Sequence, residues 1–407
     1  MALPLDPPTV PPWACLAGRT GLARWLARPG GPRLVDDAGR PLPGHRHQRG
    51  PCMAVLDDRA LGALLRSGTR GLGLAYVAGW WEAEDLAGVV GALAAVAEPL
   101  QSRLDALFRP VAPVLDHLRR PGAPSPTEDR AAVRAHYDLP HTLFEAMLDE
   151  TMAYSCAVFD PPGIDLATAQ RLKFERILAP LELGPDDHLL EIGTGWGGLA
   201  LHAASTRGCR VTTTTISAAQ EEAARQAVHE ARAEAQVTVL GLDWRDLRGR
   251  FDALVSVEMI EAVDWRHHQA FFEACRRLLS DRGRMSLQAI VIDEAAEPRA
   301  RHRPDFIRAQ VFPGSCIPSV SRLVALAAGA GLQTVALSDI GPHYAETLRR
   351  WRANLEGAAS RLRQAGLDPR LLRLWRLYLA YCEAAFERRH ISDVQLVLAP
   401  RPGRAGR

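Results

Sequence analysis

Leu189-Leu190-Glu191-Ile192-Gly193-Thr194-Gly195-Trp196-Gly197-Gly198 runs from apolar residues through one carboxylate into four glycines within six positions. The pattern predicts a buried strand, a turn too tight for side chains, and a helix starting near Gly197. Glycine suits such a turn because it tolerates positive φ and lets a ligand approach the backbone. The spacing Gly193-x-Gly195-x-Gly197 is not the GxGxxG that seats a pyrophosphate, and no GK[ST] follows, so a P-loop is excluded. Taken alone, the turn fits either a plain strand-to-helix connection or the seat of a nucleotide-like ligand.

Outward from this turn, strands are predicted at 188–192, 210–216, 237–240, 253–257, 284–292, 334–337 and 394–398, with helical patterns at 218–233, 266–279 and 319–328. Such alternation implies an α/β fold with a doubly wound, Rossmann-like, largely parallel sheet. Two long helical stretches, 345–364 and 369–388, read as an insertion before the last strand. Upstream, residues 1–50 are rich in Pro, Gly and Arg without periodicity and are expected to be a poorly ordered arm. Residues 51–118 read as a small helical domain, 119–130 as a proline-rich linker, 131–400 as the main domain with its insertion at 345–390, and 401–407 as a tail. Adjacent Trp80 and Trp81 suit core packing, lipid-surface contact or dimerisation.

The 407 residues carry a net charge of +2, which argues against a nucleic-acid binder. Lys173 is the only lysine, and arginine supplies every other basic side chain apart from histidine. The seven cysteines are scattered without a CxxC pair, which fits a reducing cytoplasm and neither a zinc site nor a disulfide framework. No signal-peptide pattern is visible, and no apolar run is long enough to span a bilayer.

Glu191 sharpens the ligand. A carboxylate at a strand end over a glycine turn suits an ammonium group or hydroxyls better than a phosphate. After the second strand, Thr215 and Gln220 offer uncharged hydrogen bonds where ribose would lie, while Ser217 can cap the next helix. After the third, Trp244 can stack an adenine and Asp243 can accept its amino group. Three successive strand ends with nucleoside-compatible chemistry and no phosphate seat point to S-adenosylmethionine (SAM).

Several motifs then carry a family resemblance. They include His136-Tyr137-Asp138, Thr151-Met152-Ala153-Tyr154-Ser155-Cys156, the glycine turn itself, and Ser256-Val257-Glu258-Met259-Ile260-Glu261-Ala262-Val263. Others are Phe312-Pro313-Gly314, Gly341-Pro342-His343-Tyr344, and the stretch from Tyr378 to Phe386 that contains Cys382. From Gly71 to Leu398 the chain resembles the cyclopropane fatty acid synthases and mycolic acid methyltransferases. The resemblance implies methyl transfer from SAM to a cis double bond of a phospholipid acyl chain, with loss of a proton closing a cyclopropane ring. It implies SAM contacts from Tyr154, Ser155, Leu189, Glu191, Gly193, Gly195, Gly197, Thr215, Ser217, Gln220, Trp244 and Arg245. It also implies a bicarbonate held by Cys156, Glu261, Gln288, Ile290 and Tyr344, with Cys382 nearby. Gln288 departs from the family's His, so bicarbonate is held as usual, held more weakly, or replaced by another way of resolving the cation.

Alkene methylation needs aromatic faces and negative charge around a carbocation. Tyr137, Tyr154, Tyr344 and Phe312 are candidates for the first and Glu261 for the second. His136 reads as catalytic or structural, and the cluster Arg349-Arg350-Trp351-Arg352 as a solvated helix face or a seat for lipid phosphates. The expected enzyme is cytoplasmic and peripherally bound to membranes. Alternatives are a methyltransferase giving a methylene- or methyl-branched chain or acting on a small molecule, and a SAM- or lipid-binding protein without turnover.

Overall fold

A computed structural model describes residues 5–46, 48–108, 110–111, 113–114, 140–303 and 305–401. The linker 119–130, His136, Tyr137 and residues 402–407 lie outside them. The chain divides into two units. One holds 1–115, 298–313 and 348–389, the other 116–297, 314–347 and 390–407.

The first unit is not only helical. Strands β1 (Arg33–Asp36) and β2 (Cys52–Val55) pair in parallel, and β3 (Trp81–Ala83) pairs antiparallel to β2. The segment expected to be a poorly ordered arm therefore supplies a strand, and it buries Ala14, Leu26, Leu34 and Leu42. Fully buried His45 pins it: the Leu34 N–H donates to Nδ1 at 3.3 Å, and Nε2 lies 2.8 Å from the Ala23 carbonyl. The proline and glycine punctuation in this segment serves turns between packed pieces.

Trp80 and Trp81 are 8% and 1% exposed, and the Trp81 indole donates to the Leu72 carbonyl at 2.9 Å. They are core residues and offer no lipid or dimer surface. The helical stretch expected to be an insertion in the main domain forms the helices Tyr344–Gln364 and Pro369–Glu387, and from residue 348 to 389 it belongs to this first unit. Its arginine cluster is not simply a solvated helix face. Trp351 is fully buried, Arg349 pairs with Glu387 at 2.7 Å, and Arg352 pairs with Glu383 at 3.0 Å, tying the two helices together.

The second unit is the expected sheet. Strands β4 (His188–Ile192), β5 (Arg210–Thr214), β6 (Val237–Leu240), β7 (Phe251–Val257), β8 (Leu279–Ile292), β9 (Leu332–Asp339) and β10 (Ile391–Pro400) lie in the order β6-β5-β4-β7-β8-β10-β9. The five from β6 to β8 are mutually parallel, and β10 runs antiparallel between β8 and β9. Apolar residues on both faces, such as Leu189 and Val255 on one and Leu190 and Leu254 on the other, pack against helices, which explains the unbroken hydrophobic runs of β4 and β7. Strand order reverses between β4 and β7, and a doubly wound sheet opens a crevice at the carboxyl ends of its strands there.

Candidate active site

The crevice is a cleft at those strand ends. Among its lining residues are Tyr154, Ser155, Glu191, Gly193, Gly195, Thr215, Gln220, Trp244 and Arg245. The turn after β4 is held open toward it because the N–H groups of Gly193 and Thr194 both donate to the Thr214 carbonyl at 3.0 Å. Gly193 takes φ 104° and Gly197 φ 94°, so the turn requires glycine there; the helix Gly198–Arg207 follows directly.

Glu191 is 2% exposed, and its Oε2 accepts the Thr213 hydroxyl at 2.6 Å. Burial raises its pKa to about 8, against the pull of Thr213 and of Lys173. Lys173 is fully buried on the helix Leu166–Leu178, lines the cleft, and donates from Nζ to Ser155 Oγ at 2.6 Å. Being the only lysine does not by itself place this side chain at the cleft.

Thr215 and Gln220 hold one another, with the Thr215 hydroxyl 2.8 Å from Gln220 Oε1. The Trp244 ring packs edge-on against Phe271 within the core, carries the Arg245 guanidinium 4.3 Å from its centroid, and still lines the cleft. Asp243 is ion-paired with Arg245 at 3.0 Å, so its carboxylate is already engaged.

Other candidates serve the frame. Leu189 is fully buried in the core. Gly197 caps a helix, and Ser217 accepts the Gln220 N–H as cap of the helix Ala218–Glu230. Neither is among the residues that line the cleft. Phe312 and Cys382 belong to the first unit. There Phe312 meets Tyr378 edge-on at 5.7 Å, and burial near Asp305 pushes the Cys382 thiol well up. The Cys156 thiol is likewise driven up by burial and by Asp393 and Glu258; what Cys156 offers is its backbone N–H.

That N–H leads to a carboxylate to which the sequence alone assigns no role. Glu258, directly after β7, lines the cleft. Its Oε1 accepts the Cys156 N–H at 2.8 Å and Gln288 Nε2 at 2.9 Å, and its Oε2 accepts the Tyr344 hydroxyl at 2.5 Å. Gln288 Nε2 also donates to Asp393 Oδ2 at 2.8 Å, and Gln395 fixes the amide by donating to its Oε1 at 3.0 Å.

Glu261 is 8% exposed, and its Oε1 accepts the Ile290 N–H. Burial and the nearby charge of Glu258 raise its pKa to about 8, so at neutral pH it is mostly uncharged and is not the negative charge expected of it. Glu261→Gln keeps an acceptor for Ile290 and loses no charge at pH 7. Turnover there should stay within about tenfold of wild type, measured with SAM affinity held as control. A loss beyond a hundredfold would restore Glu261 to the chemistry.

A seven-stranded sheet of this order, with a glycine turn, a carboxylate and nucleoside-compatible groups around one cleft, defines a SAM-dependent methyltransferase. Residues 125–396 match the family described as Mycolic acid cyclopropane synthetase, and the chain belongs to that family. It is 37% identical over 377 residues to the tuberculostearic acid methyltransferase UfaA1 of Mycobacterium tuberculosis, covering 90% of this chain and 87% of the relative. To the cyclopropane-fatty-acyl-phospholipid synthase of Escherichia coli K12 it is 32% identical over 342 residues, covering 83% and 84%. The mycolic acid cyclopropane synthase CmaA1, solved in complex with SAH and CTAB, superposes with a TM-score of 0.63 at 29% identity, covering 66% of this chain and 97% of that one. The family's chemistry is SAM-dependent methyl or cyclopropane transfer on unsaturated lipids.

Proposed function

We propose that the protein transfers the SAM methyl to the cis double bond of an unsaturated acyl chain carried by a membrane phospholipid, and that loss of a proton then closes a cyclopropane ring. The arrangement of Glu258 and Tyr344 carries this reading: a carboxylate and an aromatic ring meet where the donor cleft ends, and such groups stabilise a carbocation. An alkene is a weak nucleophile, so holding it in line with the sulfonium methyl supplies much of the remaining acceleration. Tyr137 and Phe312 are the substrate-side candidates.

A second product has its own support. Gln288 cannot titrate, and its N–H donors are already committed to Glu258 and Asp393. UfaA1 is by name a tuberculostearic acid methyltransferase. A cation resolved after a hydride shift would leave a methylene branch, which a reductant then converts to a methyl branch.

No helix among the described residues is long and apolar enough to cross a membrane. Exposed Leu100, Leu104 and Leu107, at helical spacing on Leu86–Phe108, support peripheral contact with a bilayer. The test is incubation with SAM and vesicles of unsaturated phospholipid, followed by mass analysis of the fatty acids. Chains should gain the mass of one CH₂, and chromatography then separates ring from methylene, which share that mass. SAM binding without any such gain, across several lipids, would leave only a non-catalytic binding role.

A further inference from the structure

The five positions that the resemblance assigns to a bicarbonate are all engaged within the chain. Cys156, Gln288 and Tyr344 donate to Glu258, while the Ile290 N–H donates to Glu261. The residues present therefore do not fit a bicarbonate ion: the carboxylate they would hold is already attached to the backbone. We infer that Glu258 is the catalytic base, a built-in replacement for an external carboxylate, and that this protein turns over without bicarbonate. The inference rests on the methyl-transfer reading above.

Four features of the site belong to this role. Glu258 lines the same cleft as Tyr154, Ser155 and Met259. Its backbone sits at φ 47°, in the left-handed region where a residue with a side chain is strained, and such strain persists where a site needs the group. Gln288 is matched to it, because one amide nitrogen donates to both Glu258 and Asp393 while Gln395 fixes its orientation. A neutral imidazole has one N–H and could not make both bonds.

Asp393 is fully buried and accepts from Gln288, and burial together with the charge of Glu258 pushes its pKa far up, which favours its protonated form. Burial raises the pKa of Glu258, against its three donors and the charge of buried Lys173, which favour the ionised form.

The alkene π pair bonds to the sulfonium methyl carbon as the C–S bond breaks and leaves its pair on sulfur. A C–H bond of the new methyl group then breaks. Its proton goes to a Glu258 oxygen, and its electron pair closes the ring or, after a 1,2-hydride shift, forms the exocyclic double bond.

The experiment compares turnover on unsaturated vesicles in buffer stripped of carbon dioxide with turnover in added bicarbonate. Wild type should agree within about twofold. Glu258→Gln should lose about 10²- to 10⁴-fold in kcat, the range for removing a positioned base, with SAM affinity retained by calorimetry. Glu258→Gly also relieves the backbone strain and vacates the three donors, and added bicarbonate should restore part of its activity. A wild type that slows at least tenfold without bicarbonate overturns the inference, as does a Glu258→Gln variant within threefold of wild type. No CH₂ gain by wild type in either buffer would instead overturn the methyl-transfer reading.

Discussion

Replacing Lys173 with Met should destabilise the protein by about 3–5 kcal/mol, the cost of leaving buried opposite charge uncompensated. In a folded chain with a net stability of roughly 5–15 kcal/mol this is a large share, and it should lower the thermal midpoint on the order of 10 °C. The reason is position. Burial lowers the pKa of the Lys173 amine, while Glu258, Cys156, Asp393 and Asp149 favour its charged form, and that charge in turn favours ionised Glu191. The pH dependence has a definite sign. Carboxyls whose pKa is raised on folding hold protons that the unfolded chain has already released, so stability falls as pH rises from the ordinary carboxylate range toward about 8, where Glu191 and Glu261 titrate. Removing the cation pushes Glu191 higher still, so the deficit of Lys173→Met should widen between pH 5 and pH 8. Urea unfolding at several pH values measures it. A deficit below about 1 kcal/mol that does not change with pH would mean that Lys173 only fills space.

SAM binding at pH 7 should release nearly one proton. Unliganded Glu191 titrates at about 8 and is mostly protonated there, whereas a carboxylate facing an ammonium group or hydroxyls is favoured in its ionised form. Calorimetry in two buffers of different ionisation enthalpy reads the release directly. Glu191→Gln should abolish it and weaken SAM by about 1.5–3 kcal/mol, roughly 10- to 150-fold, the range for a hydrogen bond to a charged group. Proton release that persists in the variant would assign the titration to another group.

Glycine spacing, strand periodicity and helix caps are local signals, which is why the sheet, its turn and Ser217 as a cap were legible before any coordinates. Glu191, Thr215, Gln220 and Trp244 were legible for a related reason: in a doubly wound sheet, position just after a strand already places a side chain at the crevice. The Glu258 cluster was not. Its members come from positions 156, 258, 288, 344 and 393, and nothing local in any of them states that they converge. One usable signal lay in the paired oddity of a carboxylate ending β7 and a glutamine where the family has histidine. The helices at 345–388 show a related limit. Their periodicity announces that one face is buried, but not that residues 348–389 join the N-terminal segment instead of the sheet. Trp80 and Trp81 were ambiguous in the same way, since an aromatic pair reads alike in a core and at an interface.

The burial of Lys173 has a consequence for how the molecule can be handled and watched. Since the chain has no other lysine, its folded form presents no lysine amine to solvent. Acylating dyes and amine-directed cross-linkers are left with the chain's amino terminus until the helix Leu166–Leu178 lifts away from the glycine turn. The appearance of a second acylated amine in a peptide map would then date the opening of the donor cleft, with no label to introduce and no residue to replace.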